Sequence, residues 1–341
     1  MVSVNRLQSL ALLLSVACGS APERTTVLPF DSVFATDVII VHEDETDLVV
    51  APRVRAEPDG FLYADFTEAR IRRYHRDGRL DWATGGKGGG PGEYERPSDV
   101  VRVPDGRVLV FEYNGRMTVL SPRGDSVLEI KPGPFRVLEE VEVIDGSRLL
   151  VAGDLLTDTP GDPQRSTLHV WDWARDTVLT SFFRPFATTP HTDLVQMASW
   201  VRADIRADTI AAIHAAADTV FLMSVEGEPL GTIPIPVINY IAPTPPPTAA
   251  RTDMNARREW LGSFHLISEV EWLDNGDVIV GYRRQIPDEP AWSAIVLRRG
   301  SGGATQIDES GRLLSAGLNS ELLFTDPSSL MPGRWIVGTV R

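Results

Sequence analysis

The chain has 341 residues, 43% of them hydrophobic and 23% charged, with a formal net charge of −14. This supports a sizeable core, housed in one large all-β domain or in two ordinary ones. An acidic chain without a Lys/Arg cluster excludes nucleic acid as a partner, and its acidity is explained most simply as solubility.

Residues 1–17 have the layout of an export signal: Arg6 is a positive n-region, and Leu10 to Ala17 form a short apolar run. The run falls well short of the ~20 residues a spanning helix takes. Cys18, the chain's one cysteine, follows Val16-Ala17 and resembles the modified cysteine of bacterial lipoproteins. Ser15 stands where that cleavage box usually carries Leu, and the other reading is a cut after Ala21 that discards Cys18. The lipoprotein reading makes Cys18 the lipidation site and residues 18–26 a tether. It places the protein in the cell envelope, with the outer membrane expected and lipid as its sole membrane contact. On either reading the mature body has no disulfide.

The body, residues 27–341, repeats a strand–turn–strand unit. Glu57-Pro58-Asp59-Gly60-Phe61-Leu62-Tyr63 is echoed by Val103-Pro104-Asp105-Gly106-Arg107-Val108-Leu109, and more weakly around Asp145-Gly146 and Asn275-Gly276. Such dipeptides supply the positive φ of two-residue hairpin turns. Second turns at Asp77-Gly78, Arg123-Gly124 and Glu226-Gly227 close further hairpins. Two hairpins make a four-stranded meander, which is one propeller blade. First-turn glycines fall at 60, 106, 146, 276 and 311, and Thr209 replaces the glycine of another unit. Blades are predicted to start near 53, 97, 138, 200 and 268. A sixth combines the C-terminal strands, ending in Trp335 to Val340, with an N-terminal strand such as Asp37 to Val41. The expected fold is therefore an all-β, six-bladed β-propeller closed by its two ends.

One stretch, near 234–264, breaks the pattern. Pro234, Pro236 and Pro243 to Pro247 do not suit central strands, and Ala249 to Leu261 reads as a short polar helix. This insertion lies between blades four and five. It is either a recognition element or simple decoration.

Gly85 to Val100 resembles the opening of an NHL repeat, with Gly90-Pro91-Gly92-Glu93-Tyr94 and Pro97 matching. Asp65-x-x-Glu68-x-Arg70 fits the Asp-x-x-Asn-x-Arg loop of that family in spacing, and Asn114-Gly115-Arg116 fits its second half. The chain is thus similar to bacterial six-bladed propeller proteins with NHL-like repeats, over about residues 53–130. The resemblance implies six blades and no particular activity. The glycine run itself is followed by Pro97 and a strand instead of a helix N-terminus, which favours a crossover between blades over a phosphate cradle.

No HExxH, GxSxG or CxxC occurs, and the six histidines are scattered. Counting back seven residues from each first-turn position gives Arg53, Asp99, Glu139, Arg202 and Glu269, a column of charge predicted to ring the funnel. It admits three readings: a Ca²⁺ site on Asp99, Glu139 and Glu269, a site for a polar ligand or a partner's charged side chain, or a self-neutralising network. The leading expectation is a non-catalytic, monomeric envelope module that binds a protein, peptide or glycan without a cofactor. The alternative is a metal-dependent funnel enzyme like the six-bladed lactonases, esterases and NHL-type lyase.

Overall fold

The computed structural model describes residues 25–40, 53–159, 164–184, 200–238, 240–284, 291–300, 302–308, 310–316, 321–325 and 334–340, together with Asp162. The export signal, Cys18 and the tether up to residue 24 lie outside the described residues. The described residues form six β-sheets set around one axis, each built on a four-stranded antiparallel meander.

Strands β1 (Thr26–Pro29) and β2 (Phe34–Ile40) precede the first blade, which is β3 (Arg53–Glu57), β4 (Gly60–Asp65), β5 (Arg70–His75) and β6 (Leu80–Gly85). The second is β7 (Pro97–Arg102), β8 (Val108–Glu112), β9 (Arg116–Leu120) and β10 (Val127–Pro132). The third is β11 (Phe135–Val143), β12 (Arg148–Leu155), β13 (Leu168–Asp172) and β14 (Thr177–Phe182). The fourth is β15 (Val201–Arg206), β16 (Thr209–His214), β17 (Thr219–Ser224) and β18 (Pro229–Pro234). The fifth comprises β19 (Leu266–Trp272), β20 (Val278–Arg284), β21 (Ala291–Leu297) and β22 (Ala304–Asp308). The sixth has β23 (Leu313–Ala316), β24 (Glu321–Thr325) and β25 (Arg334–Val340), with β2 as its outermost strand, antiparallel to β25. The ring is thus closed by the two ends of the chain, as the sequence predicts. A further strand, β1, adds in parallel to β22 and makes blade five five-stranded.

Burial follows position in the blade. The second strands β4 and β8 are buried along their whole length, because neighbouring blades cover both faces. The outermost β14 alternates with the strand period, as only one face is covered. Each blade-to-blade junction has its own apolar cluster. Leu62, Ile71, Val100 and Val110 join blades one and two, and Phe111, Phe135, Leu149 and Trp171 join two and three. The junction that closes the ring buries Trp335 of blade six against Phe61, Tyr63 and Tyr74 of blade one, edge to face, at centroid distances of 6.1, 5.9 and 6.2 Å.

Two first turns have the expected two-residue form, Pro58-Asp59 between Glu57 and Gly60 and Ala207-Asp208 between Arg206 and Thr209; others differ. Val103 N–H donates to Arg107 O and Gly106 N–H to Val103 O, so the chain makes a type I turn whose αL residue is Gly106 (φ +92°). Leu273 to Asp277 repeats this with Gly276 (φ +85°). Gly311 is no first-turn glycine. It precedes β23, and a Cβ there would lie 1.9 Å from Thr325 O. The glycine run occupies the crossover from β6 to β7, braced by Arg116, which donates to Gly89 O, Gly90 O and Glu93 O. The insertion is a 3₁₀ turn (Thr248–Arg251) and a helix (Met254–Gly262) capped by the Asp253 carboxylate. Trp260 and Phe264 anchor it against Ala215, Ala216 and Leu266.

Trp335→Ala is expected to destabilise the fold by about 3–5 kcal/mol, since it empties the closing junction. Urea unfolding measures this. A shift well under 1 kcal/mol would mean that this junction does not hold the ring shut.

Candidate functional site

In a strand, residues i and i+2 share a face, so each innermost strand (β3, β7, β11, β15, β19 and β23) aims alternate side chains at the axis. Register defines the first layer. Arg53, Asp99, Arg202 and Glu269 pair with Ala64, Phe111, Ile213 and Gly281 on the second strands of their blades. The third-blade equivalent is Glu140, paired with Ala152, and not Glu139, which falls in a bulge between Leu138 and Glu140. The count from the glycine slips by one there because Ile144, which donates to Arg148 O, takes the place of Val103, so Gly146 comes one residue early. In blade six the position is Ser315.

The structure brings these residues together. Arg53 donates to Glu140 at 3.2 Å and to Glu269 at 2.9 Å. Arg202 lies 4.0 Å from Glu269 and donates to Ser268 O and Val201 O. Glu139 remains close by, accepting Val201 N–H at 3.3 Å. Asp99 is wholly engaged: Oδ1 accepts from Arg55 Nε and Val100 N–H, and Oδ2 from Arg55 Nη2 and Val141 N–H, all between 2.6 and 3.1 Å.

Two residues further along, a second layer holds Arg55, Glu142, Asp204 and Glu271, which the sequence reading passed over. Arg55 also pairs with Glu142, and Asp204 accepts Ile205 N–H and Trp272 N–H, both at 2.6 Å. Arg55 is the one guanidinium of this layer, and it pairs with Glu142 and with Asp99 of the first layer. Burial pushes the Glu140 carboxyl up to about 7 against the pull of Arg53, and that of Asp204 up to about 6. Burial also raises Glu139, which Arg202 opposes, and takes Glu142 and Glu271 well above the usual range; Asp204 adds to the effect at Glu271. Burial alone would lower Arg53 and Arg55, but Glu140 and Asp99 respectively lead the charges that raise both. The axis is therefore a dense hydrogen-bonded ion network that retains protons near neutral pH. Its carboxylates face guanidinium and amide donors, and among the described residues no group of three His, Cys, Asp or Glu side chains is arranged to hold a metal.

Above this network, where the innermost strands begin, lies a cavity of about 460 Å³. Its polar wall is Arg202, Arg258, Arg283 and Arg312, and its aromatic wall is Trp200 and Trp292. Leu261, Leu266 and Ile267 complete an apolar floor, and no carboxylate lines it among the described residues. The insertion helix supplies Arg258 and Leu261. Arg283 Nη2 donates to the Leu261 carbonyl at 3.0 Å, tying that helix end to blade five. Arg312 sits over the Trp292 ring, 5.6 Å from its centroid. Arg283 Nε, Arg312 Nε and Ser268 Oγ are buried and have no hydrogen-bond partner among the described residues. Burial lowers Arg283, and lowers Arg312 to about 10, with Arg53 adding to the latter. Arg312 stays charged at neutral pH.

The opposite face shows the contrast. There Arg73 reaches Glu57, Asp59 and Asp81 at 2.9, 2.5 and 2.5 Å, and Arg102 reaches Glu57 at 2.5 Å. Those arginines are neutralised, whereas Arg258, Arg283 and Arg312 make no ion pair among the described residues.

No family model matches the sequence. No curated protein matches it either. Among solved structures the chain is similar to a member of the DUF4221 family from Bacteroides vulgatus, at a TM-score of 0.63 and 10% identity over 91% of this chain and 97% of the other. It is also similar to a Bacteroides fragilis protein whose name marks it as a candidate for export, at a TM-score of 0.61 and 12% identity over 93% and 99%. The shared property is the fold.

Folded carboxylates with raised pKa bind more protons than the unfolded chain does between about pH 4.5 and pH 7, so stability falls as pH rises through that window. The urea midpoint at about pH 5.5 is expected to exceed that at about pH 8. Glu271→Gln should narrow the gap and stabilise the protein at the higher pH by on the order of 1 kcal/mol. A flat profile in the wild type would mean that the axis holds no such protons.

Proposed function

We propose that this chain is a non-catalytic binding module of the cell envelope, and that it recognises a protein, peptide or glycan through the arginine–tryptophan cavity at the mouth of its funnel. The observation that carries the reading is a trio of buried donors unmatched among the described residues, Arg283 Nε, Arg312 Nε and Ser268 Oγ, around one concavity. Buried donors are almost always satisfied in folded proteins, and those left open beside a cavity await an acceptor from outside. The network beneath supports binding over turnover. Arg53, Arg55, Asp99, Glu140 and Glu142 are paired with one another. The rigid sheets hold the cavity walls, while the insertion helix forms one side of its rim. The envelope setting rests on the export signal and Cys18, so the disc would present this face from a lipid tether.

Wild-type protein on peptide and glycan arrays is expected to retain a defined set of ligands, and Arg283→Gln/Arg312→Gln to lose them with its circular dichroism unchanged. Arrays on which the wild type binds nothing, or on which the variant binds the same set, would defeat the proposal. For the tether, radiolabelled palmitate is expected to enter the wild type in bacterial cells and not Cys18→Ser. An unlabelled wild type would remove the lipid anchor from the account.

A further inference from the structure

The geometry points to an organic dianion as the ligand of this cavity: a phosphomonoester or paired carboxylates carried on a ring or other apolar body. The inference rests on the cavity being the recognition site, and it specifies the chemistry recognised there.

Charge sets the head group. Arg312 and Arg283 make no ion pair among the described residues, and Arg258 on the insertion helix makes none either. Arg202 shares Glu269 with Arg53 and keeps only a 4.0 Å contact to it. A monoanion would neutralise one of three open guanidinium groups, whereas a dianion with several acceptor oxygens can meet two at once. The planar fork of each guanidinium suits the oxygens of a phosphate or carboxylate. Ser268 Oγ offers a further donor at the same wall.

The apolar lining sets the body. Trp292, over which Arg312 sits, lines the cavity together with Trp200, Leu261, Leu266 and Ile267. Inorganic phosphate would leave this surface wet, while a ring would cover it and exclude water from the ion pairs, strengthening them. A volume of about 460 Å³ holds a head group with roughly one or two rings. The acidic surface of the chain as a whole repels anions only at long range, and physiological salt screens that repulsion beyond about 8 Å.

The test is a tryptophan-fluorescence and calorimetric titration of the full folded protein with four probes: phenyl phosphate, phthalate, inorganic phosphate and benzyl alcohol. Phenyl phosphate or phthalate is expected to bind with a Kd below about 1 mM, and roughly tenfold or more tighter than inorganic phosphate or benzyl alcohol. Whichever of the two binds more tightly identifies the head group. Arg312→Gln and Arg283→Gln should each weaken binding by about tenfold, Arg258→Gln on the exposed helix face by a smaller factor, and Trp292→Phe should remove most of the fluorescence change. Raising salt from about 50 mM to about 500 mM should weaken the wild type. Equal binding of benzyl alcohol and the anions, or anion binding that none of the arginine variants changes, would overturn the assignment. Array ligands lost in the arginine variants but not displaced by any of these anions would leave recognition at this cavity standing and overturn the dianion alone.

Discussion

Charge buried on the axis is the constraint around which the rest of the molecule is arranged. A guanidinium or carboxylate taken out of water costs several kcal/mol, and the cost is recovered only where partners are fixed at hydrogen-bonding distance. Here those partners come from different blades. Arg53 of blade one reaches Glu140 of blade three and Glu269 of blade five across the axis. Arg55 reaches Asp99 and Glu142 in blades two and three. A blade displaced by a strand's width would strand a charge, so the network acts against any closure other than this one. Its net excess of carboxylates is met by protons, because burial makes a neutral acid cheaper than an unpaired anion.

The apolar clusters do a different job. Each joins one blade to the next, and together they run around the disc without a gap, from Leu62 and Val110 at the first junction to Trp335 at the last. They supply the non-directional attraction, and the polar axis supplies the register. The cavity at the mouth is where this division fails. Arg312 and Arg283 are buried enough to be costly, yet among the described residues they lack the carboxylates that Arg73 and Arg102 possess on the opposite face. Proteins leave such groups open at sites of recognition far more readily than in structural cores.

Much of the fold was legible in the sequence because turn chemistry is local. Val103-Pro104-Asp105-Gly106 and Leu273-Asp274-Asn275-Gly276 carry their conformation in their own residues, and strand alternation between them is set by burial. The axial charges were legible for the same reason, since equal spacing from equal turns places equal positions on the axis. The reading failed at Glu139, where a bulge and a differently closed turn moved the column to Glu140 without altering the local pattern. The second layer was missed because Arg55, Glu142, Asp204 and Glu271 look like ordinary strand polarity when strands are assumed to have a wet face. The cavity was not legible at all. Arg258 comes from the insertion, Arg283 and Trp292 from facing positions on β20 and β21, and Arg312 from the crossover into blade six, and no period links them.

The path of the N-terminal segment has a mechanical consequence. The chain enters along the outer edge of blade five as β1, turns through Phe30 and Phe34, and then becomes the outer edge of blade six as β2. Tension on that end loads two rim strands in series, with the aromatic contact of Phe30 and Phe34 on Phe324 between them. The disc would be peeled from its perimeter, one strand at a time, before any pull reached the charged hub.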